Sequence, residues 1–346
     1  MYETVILGRY MWRIIGQTKT VAFFQGNLMR GRLAHAYLFV GPPHVGKMTL
    51  ALDLAQALNC KGDTPPCGEC SICRRIVEGK HPDVQIIGIA GEKRTEVSID
   101  QIRVMQAAAC LPPFEGTYKV FIIDGAESLS AEAANCLLKT LEEPFPQCVF
   151  FLLTTLESAV LLTVVSRCQR IRMHPSPRDT VKDVLVQHHH LADDQAEVVS
   201  RLSKGCIGWA LGAIRDDQVL KERSQRVQEI IHASQADING RLSYAAELAN
   251  EFSKSRKHAE EVLDVWLDWW RDILLVNAGG SESIINVDYK SVLFEWAQQC
   301  TLSGIKDFIQ SLLVTKKQIG QNANPRLVLE MLMLNMPQKA IPCFNN

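Results

Sequence analysis

A glycine-bounded turn between an apolar run and a helical pattern constrains this fold more than any other feature of the sequence. Residues 37–40 are apolar and favour a buried strand, and a helix is predicted from about residue 47 to residue 58. In phosphate-binding loops, backbone N–H groups surround phosphate oxygens at the positive end of a helix, and a lysine adds a point charge. The turn matches such a loop up to its lysine, with a plain strand-to-helix turn as the alternative interpretation. It reads Gly41-Pro42-Pro43-His44-Val45-Gly46-Lys47.

Met48 and Thr49 follow the lysine and complete the candidate nucleotide-binding residues, but they change the chemistry. The first of these positions normally carries a hydroxyl that ligates Mg²⁺, and a thioether is a poor ligand for this hard cation. Thr49 is rotated by ~100° around the helix, so its hydroxyl is not expected to reach the same place. His44 stands where glycine is usual, and a positive φ there costs on the order of 1 kcal/mol. We therefore expect binding of ATP or ADP to be impaired and Mg²⁺ to be poorly held.

A carboxylate, Asp124, stands at the end of a second apolar run. Residues 120–124 favour a strand that is buried on both faces, and an aspartate at this point orients Mg²⁺ in nucleotide sites. ATPases often place a glutamate next, which polarises the attacking water, but here that residue is Gly125. Glu127 lies beyond the strand and is a poor substitute. Asp124 is thus predicted to be a vestigial metal-orienting carboxylate, and capping of a strand end is the alternative.

Strand-like and helical patterns alternate through the first half of the chain. Further strands are predicted at residues 84–87 and 149–153, and helices at residues 97–111 and 130–143. This alternation is typical of an α/β domain in which helices cover both faces of a parallel sheet. After residue 177 nearly all of the sequence has a helical pattern.

The length agrees with this change of pattern, because 346 residues at ~150 per domain predict two or three domains. We expect a nucleotide-binding-like domain at residues 1–174. A small helical unit at residues 175–217 and an all-helical domain at residues 218–346 are expected to follow.

Four of the eleven cysteines crowd into residues 60–73, directly after the first predicted helix. They are Cys60, Cys67, Cys70 and Cys73. The spacing C-x6-C-x2-C-x2-C brings four sulfurs together, and the proline pair inside it bends the backbone. This arrangement predicts a structural Zn²⁺ site, with an iron–sulfur cluster or four unconnected thiols as the alternatives.

The net charge is close to zero, because 37 Lys and Arg oppose 38 Asp and Glu. Such a chain has no strong overall field to attract nucleic acid, which disfavours a stand-alone DNA-binding protein. The apolar stretch at residues 148–165 is long enough for a bilayer, but Glu157 in its middle favours a buried strand and a short helix. The first residues lack the pattern of a secretion signal. We expect a cytoplasmic protein without a membrane partner or a small-molecule metabolite substrate.

Further motifs accompany these sites along nearly the whole chain. They are Ile15-Gly16-Gln17, His35-Ala36-Tyr37-Leu38-Phe39, Ile99-Asp100-Gln101-Ile102-Arg103, Ile122-Ile123-Asp124-Gly125-Ala126-Glu127, Asn135-Cys136-Leu137-Leu138-Lys139-Thr140-Leu141-Glu142-Glu143-Pro144, Ser166-Arg167-Cys168, residues 266–274 and Asn322-Ala323-Asn324-Pro325-Arg326-Leu327. Together with the phosphate loop and the cysteine insertion, they make the chain resemble the delta-prime subunits of bacterial DNA polymerase III clamp loaders. The motor subunits tau and gamma are close relatives in that family.

The resemblance implies an AAA+ domain with a zinc-binding insertion, a helical lid, and an all-α collar that joins five subunits in a ring. It implies that Arg167 is an arginine finger, which reaches the ATP held by a neighbouring motor subunit. A surface ion pair is the alternative role for this arginine. The implied partners are tau or gamma and the delta subunit, with the sliding clamp and primed DNA contacted through the assembly.

Three parts of a motor subunit are absent from the sequence pattern. The magnesium hydroxyl is replaced by Met48, the carboxylate after Asp124 by Gly125, and the lid arginine that senses nucleotide by Trp209. We therefore expect no independent catalysis, although the assembly that the chain resembles belongs to a DNA-directed DNA polymerase, a nucleotidyltransferase. The predicted role is a subunit that braces the pentamer. An autonomous ATPase motor similar to tau or gamma is the competing interpretation.

Overall fold

The computed structural model describes residues 5–7, 10–89, 96–321 and 323–337. Contacts within the chain divide it into two compact units. The first consists of residues 1–190 and 205–209, and the second of residues 191–204 and 210–346. Among the described residues, all the strands lie in the first unit, and the second is built from helices.

The first unit alternates strands and helices, as the sequence pattern predicts. Its strands are β1 (Val5–Leu7), β2 (Tyr10–Trp12), β3 (Ala36–Val40), β4 (Val84–Ile87), β5 (Lys119–Asp124), β6 (Cys148–Thr154) and β7 (Gln169–Arg172). Its helices are α1 (Thr18–Met29), α2 (Lys47–Asn59), α3 (Ser71–Val77), α4 (Ile99–Ala109), α5 (Ala131–Glu142), α6 (Leu162–Val165) and α7 (Arg178–His189). The short strands β1 and β2 pair with each other as an antiparallel hairpin.

Five strands form one parallel sheet in the order β4-β5-β6-β3-β7. Phe39 and Phe151 on one face lie in a core with α1, α2 and α3, while Phe121 and Phe150 on the other lie in a core with α4 and α5. Strands that are apolar on both faces are typical of parallel sheets with helices on each side. The predicted fold class is therefore confirmed. The residues that follow β3, β5 and β6 lie at one edge, because parallel strands end together.

Local signals determine where the helices near this edge begin and end. Helix α4 begins after Ser98, which forms a capping box with Gln101. Helix α5 begins after Ser130, whose hydroxyl accepts the amide of Ala133 at 3.1 Å. It ends at Glu142 because Pro144 disfavours helical backbone at the residue before it. The carboxylate of Glu142 is thus carried at a defined helix end.

The predicted strands at residues 84–87, 120–124 and 149–153 agree with β4, β5 and β6 to within one residue at each end. The apolar stretch at residues 148–165 forms β6 and, after a 3-10 turn, the short helix α6, as expected. None of the described helices combines the length and apolar character needed to cross a bilayer. The sequence patterns do not predict β7, because three of its four residues are polar and exposed and it lies at the sheet edge.

The second unit buries a tryptophan-rich core. Its helices are α8 (Asp193–Leu202), α9 (Ile207–Arg215, whose first turn belongs to the first unit), α10 (Asp217–Gln235), α11 (Ile238–Lys254), α12 (Arg256–Asn277), α13 (Lys290–Gln299), α14 (Leu302–Gly320) and α15 (Pro325–Leu334). Trp266, Trp269 and Trp270 of α12 are fully buried with Trp296 and Phe308. The helical character predicted for this region is confirmed. The domain boundaries at residues 174 and 217 stay a prediction.

Candidate functional site

The candidate phosphate loop joins β3 to α2. Val40 is the last residue of β3, and Lys47 is the first residue of α2. The first turn of a helix leaves backbone N–H groups without partners in the helix, and this positive end suits a phosphate group. His44 has a φ of 60°, the conformation that the sequence leads us to expect there. The loop thus has positive φ angles at His44 and, at 106°, at Gly46, directly before α2.

Lys47 is held by the loop itself. Its side chain is buried, with only 9% of its surface exposed, and Nζ donates to the carbonyl of Gly41 at 2.6 Å and of Pro42 at 2.8 Å. Burial lowers the pKa of Lys47, and the carboxylates of Glu127 and Asp124 oppose this shift. The ammonium group and both carboxylates are thus close enough to interact, but the hydrogen bonds of the lysine are made within the loop.

The position after Asp124 is unsuited to a catalytic glutamate. Asp124 is the last residue of β5 and its side chain is exposed at the carboxyl end of the sheet. Gly125 adopts a φ of 77°, which side-chain-bearing residues rarely adopt, and a 3-10 turn follows it. Met48, in the first turn of α2, packs against the hydrophobic core. The structure therefore brings Lys47 and Asp124 to one edge, without the magnesium hydroxyl or the second carboxylate.

Glu127 has a role that the sequence interpretation missed. One of its carboxylate oxygens accepts the Thr155 hydroxyl at 2.7 Å and the Thr155 amide at 3.1 Å. Burial raises the pKa of Glu127, but these hydrogen bonds outweigh that effect and lower it. The sequence does carry one signal for this role, since Thr154 and Thr155 stand at the end of an apolar strand. That strand, β6, lies between β5 and β3 in the sheet, so its end is close to Glu127. Glu127 therefore links the ends of β5 and β6 beside Lys47.

The first turn of α9 touches the phosphate loop through the backbone. The amide of Gly208 donates to the carbonyl of His44 at 3.0 Å. A Cβ atom at position 208 would lie 2.7 Å from that same oxygen, so only glycine fits without movement. Trp209, which occupies the position of the sensing arginine in the family pattern, is half-buried. The first turn of α9 is therefore fixed against the phosphate loop.

The four cysteines of residues 60–73 converge. The sulfur atoms of Cys60, Cys67, Cys70 and Cys73 all lie within 4.8 Å of one another, and those of Cys67 and Cys73 are 4.0 Å apart. A tetrahedral Zn²⁺ site with Zn–S bonds of ~2.3 Å has sulfur separations of roughly 3.8 Å. The four cysteines could therefore hold a metal ion with little movement.

Backbone amides prepare these sulfur atoms for a metal. Cys60 Sγ accepts the amides of Gly62 and Cys67 at 3.3 and 3.4 Å, and the sulfurs of Cys67 and Cys70 each accept one amide at 3.4 Å. Burial raises the pKa of Cys70, but hydrogen bonds from the Cys73 amide and from neighbouring thiols outweigh it, so the pKa falls to about 7. Burial raises the pKa of Cys60 and of Cys73. Thiolates are the form that ligates metals, so ionisation of all four cysteines would depend on the charge of a bound cation.

Arg167 lies at the surface, just after α6. Its Nη2 donates to the carboxylate of Glu142 at 2.5 Å, and its Nη1 donates to the carbonyl of Thr163 at 2.9 Å. The arginine side chain is 34% exposed and that of Glu142 is 49% exposed. The ion pair considered as an alternative role is therefore present, and the guanidinium still faces solvent in part. Leu162, in the same short helix, is 80% exposed.

The fold and these sites define the class of protein. A five-stranded parallel sheet that carries the candidate phosphate loop and is followed by helices agrees with the AAA+ architecture that the resemblance implies. The family described as "DNA polymerase III, delta subunit" matches residues 16–177, and that described as "DNA polymerase III, delta subunit, C terminal" matches residues 217–338. The chain belongs to the family of DNA polymerase III clamp-loader subunits.

Curated relatives agree with this assignment. The chain is 28% identical to the DNA polymerase III subunit delta' of Bacillus subtilis, over 93% of this chain and 96% of the relative. It is 28% identical to subunit tau of B. subtilis, over 94% of this chain and 61% of that protein. Subunit tau of Escherichia coli is 30% identical, over 93% of this chain and 52% of that protein. The chain thus spans nearly the whole of delta' and about half to three-fifths of the tau proteins.

The chain is also similar to solved structures. A DNA polymerase III gamma subunit-related protein from Thermotoga maritima is 18% identical, with a TM-score of 0.41, over 90% of this chain and 97% of that one. The RuvB Holliday junction branch migration motor of the same organism is 18% identical, with a TM-score of 0.39, over 66% of this chain and 67% of that one.

Proposed function

We propose that this chain is a delta-prime-type subunit of the sliding-clamp loader of DNA polymerase III. In this proposal it braces a pentamer and supplies Arg167 to the ATP site of a neighbouring motor subunit of the tau or gamma type. The delta subunit is a further partner, and the sliding clamp and primed DNA are reached through the assembly. The substitutions at the motor positions, Met48, Gly125 and Trp209, support this choice over a tau or gamma motor.

The observation that carries the proposal is the contrast between Arg167 and the chain's own phosphate loop. Arg167 is a partly exposed cation, and Leu161 and Leu162 at the start of the short helix before it are also exposed. Apolar side chains beside an exposed charge are typical of a surface that a protein partner covers. The loop, in contrast, has Lys47 bound to its own carbonyl groups.

An arginine at this place can act on ATP that another chain holds. During hydrolysis, water attacks the γ-phosphorus and the bond to the bridging oxygen breaks, which yields ADP and phosphate. Negative charge spreads over the phosphoryl oxygens, and a guanidinium placed there in advance stabilises it. An arginine finger contributes ~10³ to 10⁵ in rate. Arg167 would therefore complete a site in which its own chain binds no nucleotide.

In the same proposal this chain has lost its own ATPase. Met48 packs into the core instead of offering a hydroxyl, and Gly125 provides no carboxylate in a backbone conformation that suits glycine. ATP or ADP could still contact the loop amides. Mg²⁺ would keep Asp124 but lose the hydroxyl ligand at position 48, and the attacking water would lack a carboxylate at position 125.

We also assign Zn²⁺ to the four-cysteine cluster, as a structural ion. Four thiolates in a tetrahedral arrangement are the usual set for such a site. The zinc would join residues 60–73 to the end of α2, because Gln56 of α2 already donates to the carbonyl of Cys73 at 2.8 Å. The support for zinc over an iron–sulfur cluster is the size of the cluster, whose sulfurs lie within 4.8 Å of one another.

A second candidate function is an autonomous motor of the tau or gamma type. One observation favours it: Lys47 and Asp124 lie near each other at the carboxyl edge of the sheet, as a working nucleotide site requires. The two candidates differ in which chain hydrolyses ATP.

ATP turnover by the reconstituted loader, with clamp and primed DNA, separates these functions. We expect Arg167→Ala to abolish hydrolysis at the site that this chain completes, and Lys47→Ala to leave turnover unchanged. Arg170→Ala is the matched control, because Arg170 is also an exposed arginine paired with a glutamate, Glu157 at 3.0 Å. A loss of turnover with Lys47→Ala that equals the loss with Arg167→Ala would instead place this chain among the motors.

A further inference from the structure

The side chain of Arg167 is held in one orientation by groups from two elements. Its Nη2 donates to the carboxylate of Glu142, the last residue of α5, at 2.5 Å. Its Nη1 donates to the carbonyl of Thr163 at 2.9 Å and to the hydroxyl of Ser166 at 3.3 Å. That hydroxyl donates in turn to the carbonyl of Thr163 at 3.0 Å. A long, flexible side chain is thereby fixed at three points.

The two elements that hold Arg167 form a rigid support. Leu141, next to Glu142, is buried in the same hydrophobic cluster as Val164 and Cys168 on either side of the arginine. The backbone positions of both partners are therefore set by core packing. The carboxylate and the guanidinium meet because the fold brings α5 and α6 together.

This arrangement leaves the arginine able to bind an anion. A guanidinium has five N–H donors, and the hydrogen bonds to Thr163, Ser166 and Glu142 engage three of them. The other two, on Nε and Nη2, have no partner within the part of the chain that the structure describes. N–H donors of a guanidinium bind phosphate oxygens, so Nε and the remaining N–H of Nη2 are available to an anion while Glu142 and Thr163 hold the side chain.

A contribution to folding stability does not explain why Arg167 and Glu142 are paired. Side chains that are 34% and 49% exposed form an ion pair that contributes little to stability, because water and salt screen the charges. The contact does restrict the rotamers of Arg167, and a donor fixed before the reaction stabilises a transition state better than a mobile one.

We propose that Glu142 is a positioning residue for the neighbouring ATP site: it orients Arg167 so that the two free N–H donors face the γ-phosphate. This inference rests on the proposed function of Arg167. Glu142 itself touches neither ATP nor the reacting water. It acts through the arginine, and this predicts a specific pattern of variants.

The test is single-turnover phosphate release by the reconstituted loader, loaded with ATP and mixed with clamp and primed DNA. Glu142→Ala is expected to lower the rate of ATP hydrolysis about tenfold at the site that this chain completes, since misplacing a catalytic group costs up to ~10² in rate. The time course then becomes biphasic, and the slow phase reports that site. The ATP concentration for half-maximal rate stays unchanged, because another chain binds the nucleotide.

Two variants distinguish positioning from a general effect of charge. Glu142→Gln keeps an oxygen that can accept from Nη2, so it is expected to restore a single fast phase. Glu143→Ala removes a carboxylate that forms no hydrogen bond or ion pair with Arg167 among the described residues, and it is expected to behave as wild type. A slow phase with Glu143→Ala as large as with Glu142→Ala would overturn the proposal.

The Arg167→Ala background separates this inference from the function on which it rests. With the arginine removed, Glu142→Ala is expected to cause no further slowing, because Glu142 acts only through Arg167. Additional slowing in that background, or a single fast phase with Glu142→Ala alone, would refute the positioning role and leave the finger intact. A single fast phase with Arg167→Ala alone would instead refute the proposed function.

Discussion

The two ends of α2 carry the two ligand sites that the sequence suggests, and the two sites differ in how many of their ligand residues are present. At the first end, the phosphate loop has positive φ angles at His44 and Gly46. However, Lys47 donates to the carbonyls of Gly41 and Pro42, and Met48 packs against the core. At the other end, Cys60 follows the last residue of the helix, and all four cysteines of the cluster converge.

This difference shows that the backbone shape of a ligand site and its ligand side chains can be maintained for separate reasons. The shape of the phosphate loop is also needed for packing, since the first turn of α9 rests on it through Gly208 and His44. The loop can therefore keep its form after its magnesium ligand is replaced. The cysteine cluster has no such second use, because Pro66 is the one buried residue between Cys60 and Cys70, and core packing resumes only with Ile72 in α3. We infer that its ligand chemistry is what orders that segment.

The largest effect that tests this comparison is expected at the cysteine end. Cys70→Ser should lower the metal content from about one Zn²⁺ per chain to nearly none, since structural zinc sites need all four ligands. Local order of residues 60–73 should be lost with the metal, and the thermal midpoint of unfolding should fall. Elemental analysis and calorimetry measure the two effects.

Cys110→Ser is the matched control, because Cys110 is an exposed cysteine outside the cluster. It should change neither the metal content nor the thermal midpoint. Iron and acid-labile sulfide in the wild-type protein would show that the ion is not zinc. A Cys70→Ser variant that keeps its metal and its stability would show that the cluster is not the site.

An intermediate effect is expected at the phosphate-loop end, from Gly208→Ala. The new Cβ would lie 2.7 Å from the carbonyl oxygen of His44, so the first turn of α9 or the loop must move. Overpacking of this kind costs about 1–3 kcal/mol in the free energy of unfolding. Urea denaturation followed by circular dichroism measures this loss.

Gly212→Ala in the same helix provides the comparison for that variant. No atom lies within 4 Å of a Cβ built at position 212, so the substitution should stabilise the helix by about 0.5–1 kcal/mol. Equal effects of the two substitutions would mean that the phosphate loop is not held by α9.

The sequence predicts both ligand sites because their signals are local. An apolar run before Gly41 and a helix from Lys47 define the loop, and the spacing of the cysteines defines the cluster, within a few residues each. The sheet follows for the same reason, since β4, β5 and β6 are short apolar runs. Strand β7 is mostly polar and lies at the edge, so its order depends on pairing with β3, which no local pattern reveals.

The parts of the site that the sequence does not reveal are contacts between distant residues. Arg167 and Glu142 are 25 residues apart, and Thr155 and Glu127 are 28 residues apart. Both pairs form only because the sheet order and the packing of α5 bring their elements together. The sequence suggests a surface ion pair for Arg167 as one alternative, but it cannot name the partner.

The smallest effect is expected from Met48→Thr, which restores a hydroxyl where magnesium sites have one. We expect magnesium-dependent ATP hydrolysis by the isolated chain to stay at the level of Met48→Leu, a variant that keeps an apolar side chain. One added ligand does not replace the carboxylate absent at Gly125, whose φ of 77° disfavours any larger residue. Phosphate release with Mg²⁺, compared with release in EDTA, measures this activity.

The result also decides how many changes separate this chain from a motor. If Met48→Thr raises hydrolysis about tenfold or more over Met48→Leu, the loop retains everything but one magnesium ligand, because a lost metal ligand alone would account for the difference. Lys47 must then leave the carbonyls of Gly41 and Pro42 when nucleotide binds. If hydrolysis does not rise, the two ends of α2 differ as the comparison requires: one end keeps its shape for packing, and the other keeps its ligands for a metal.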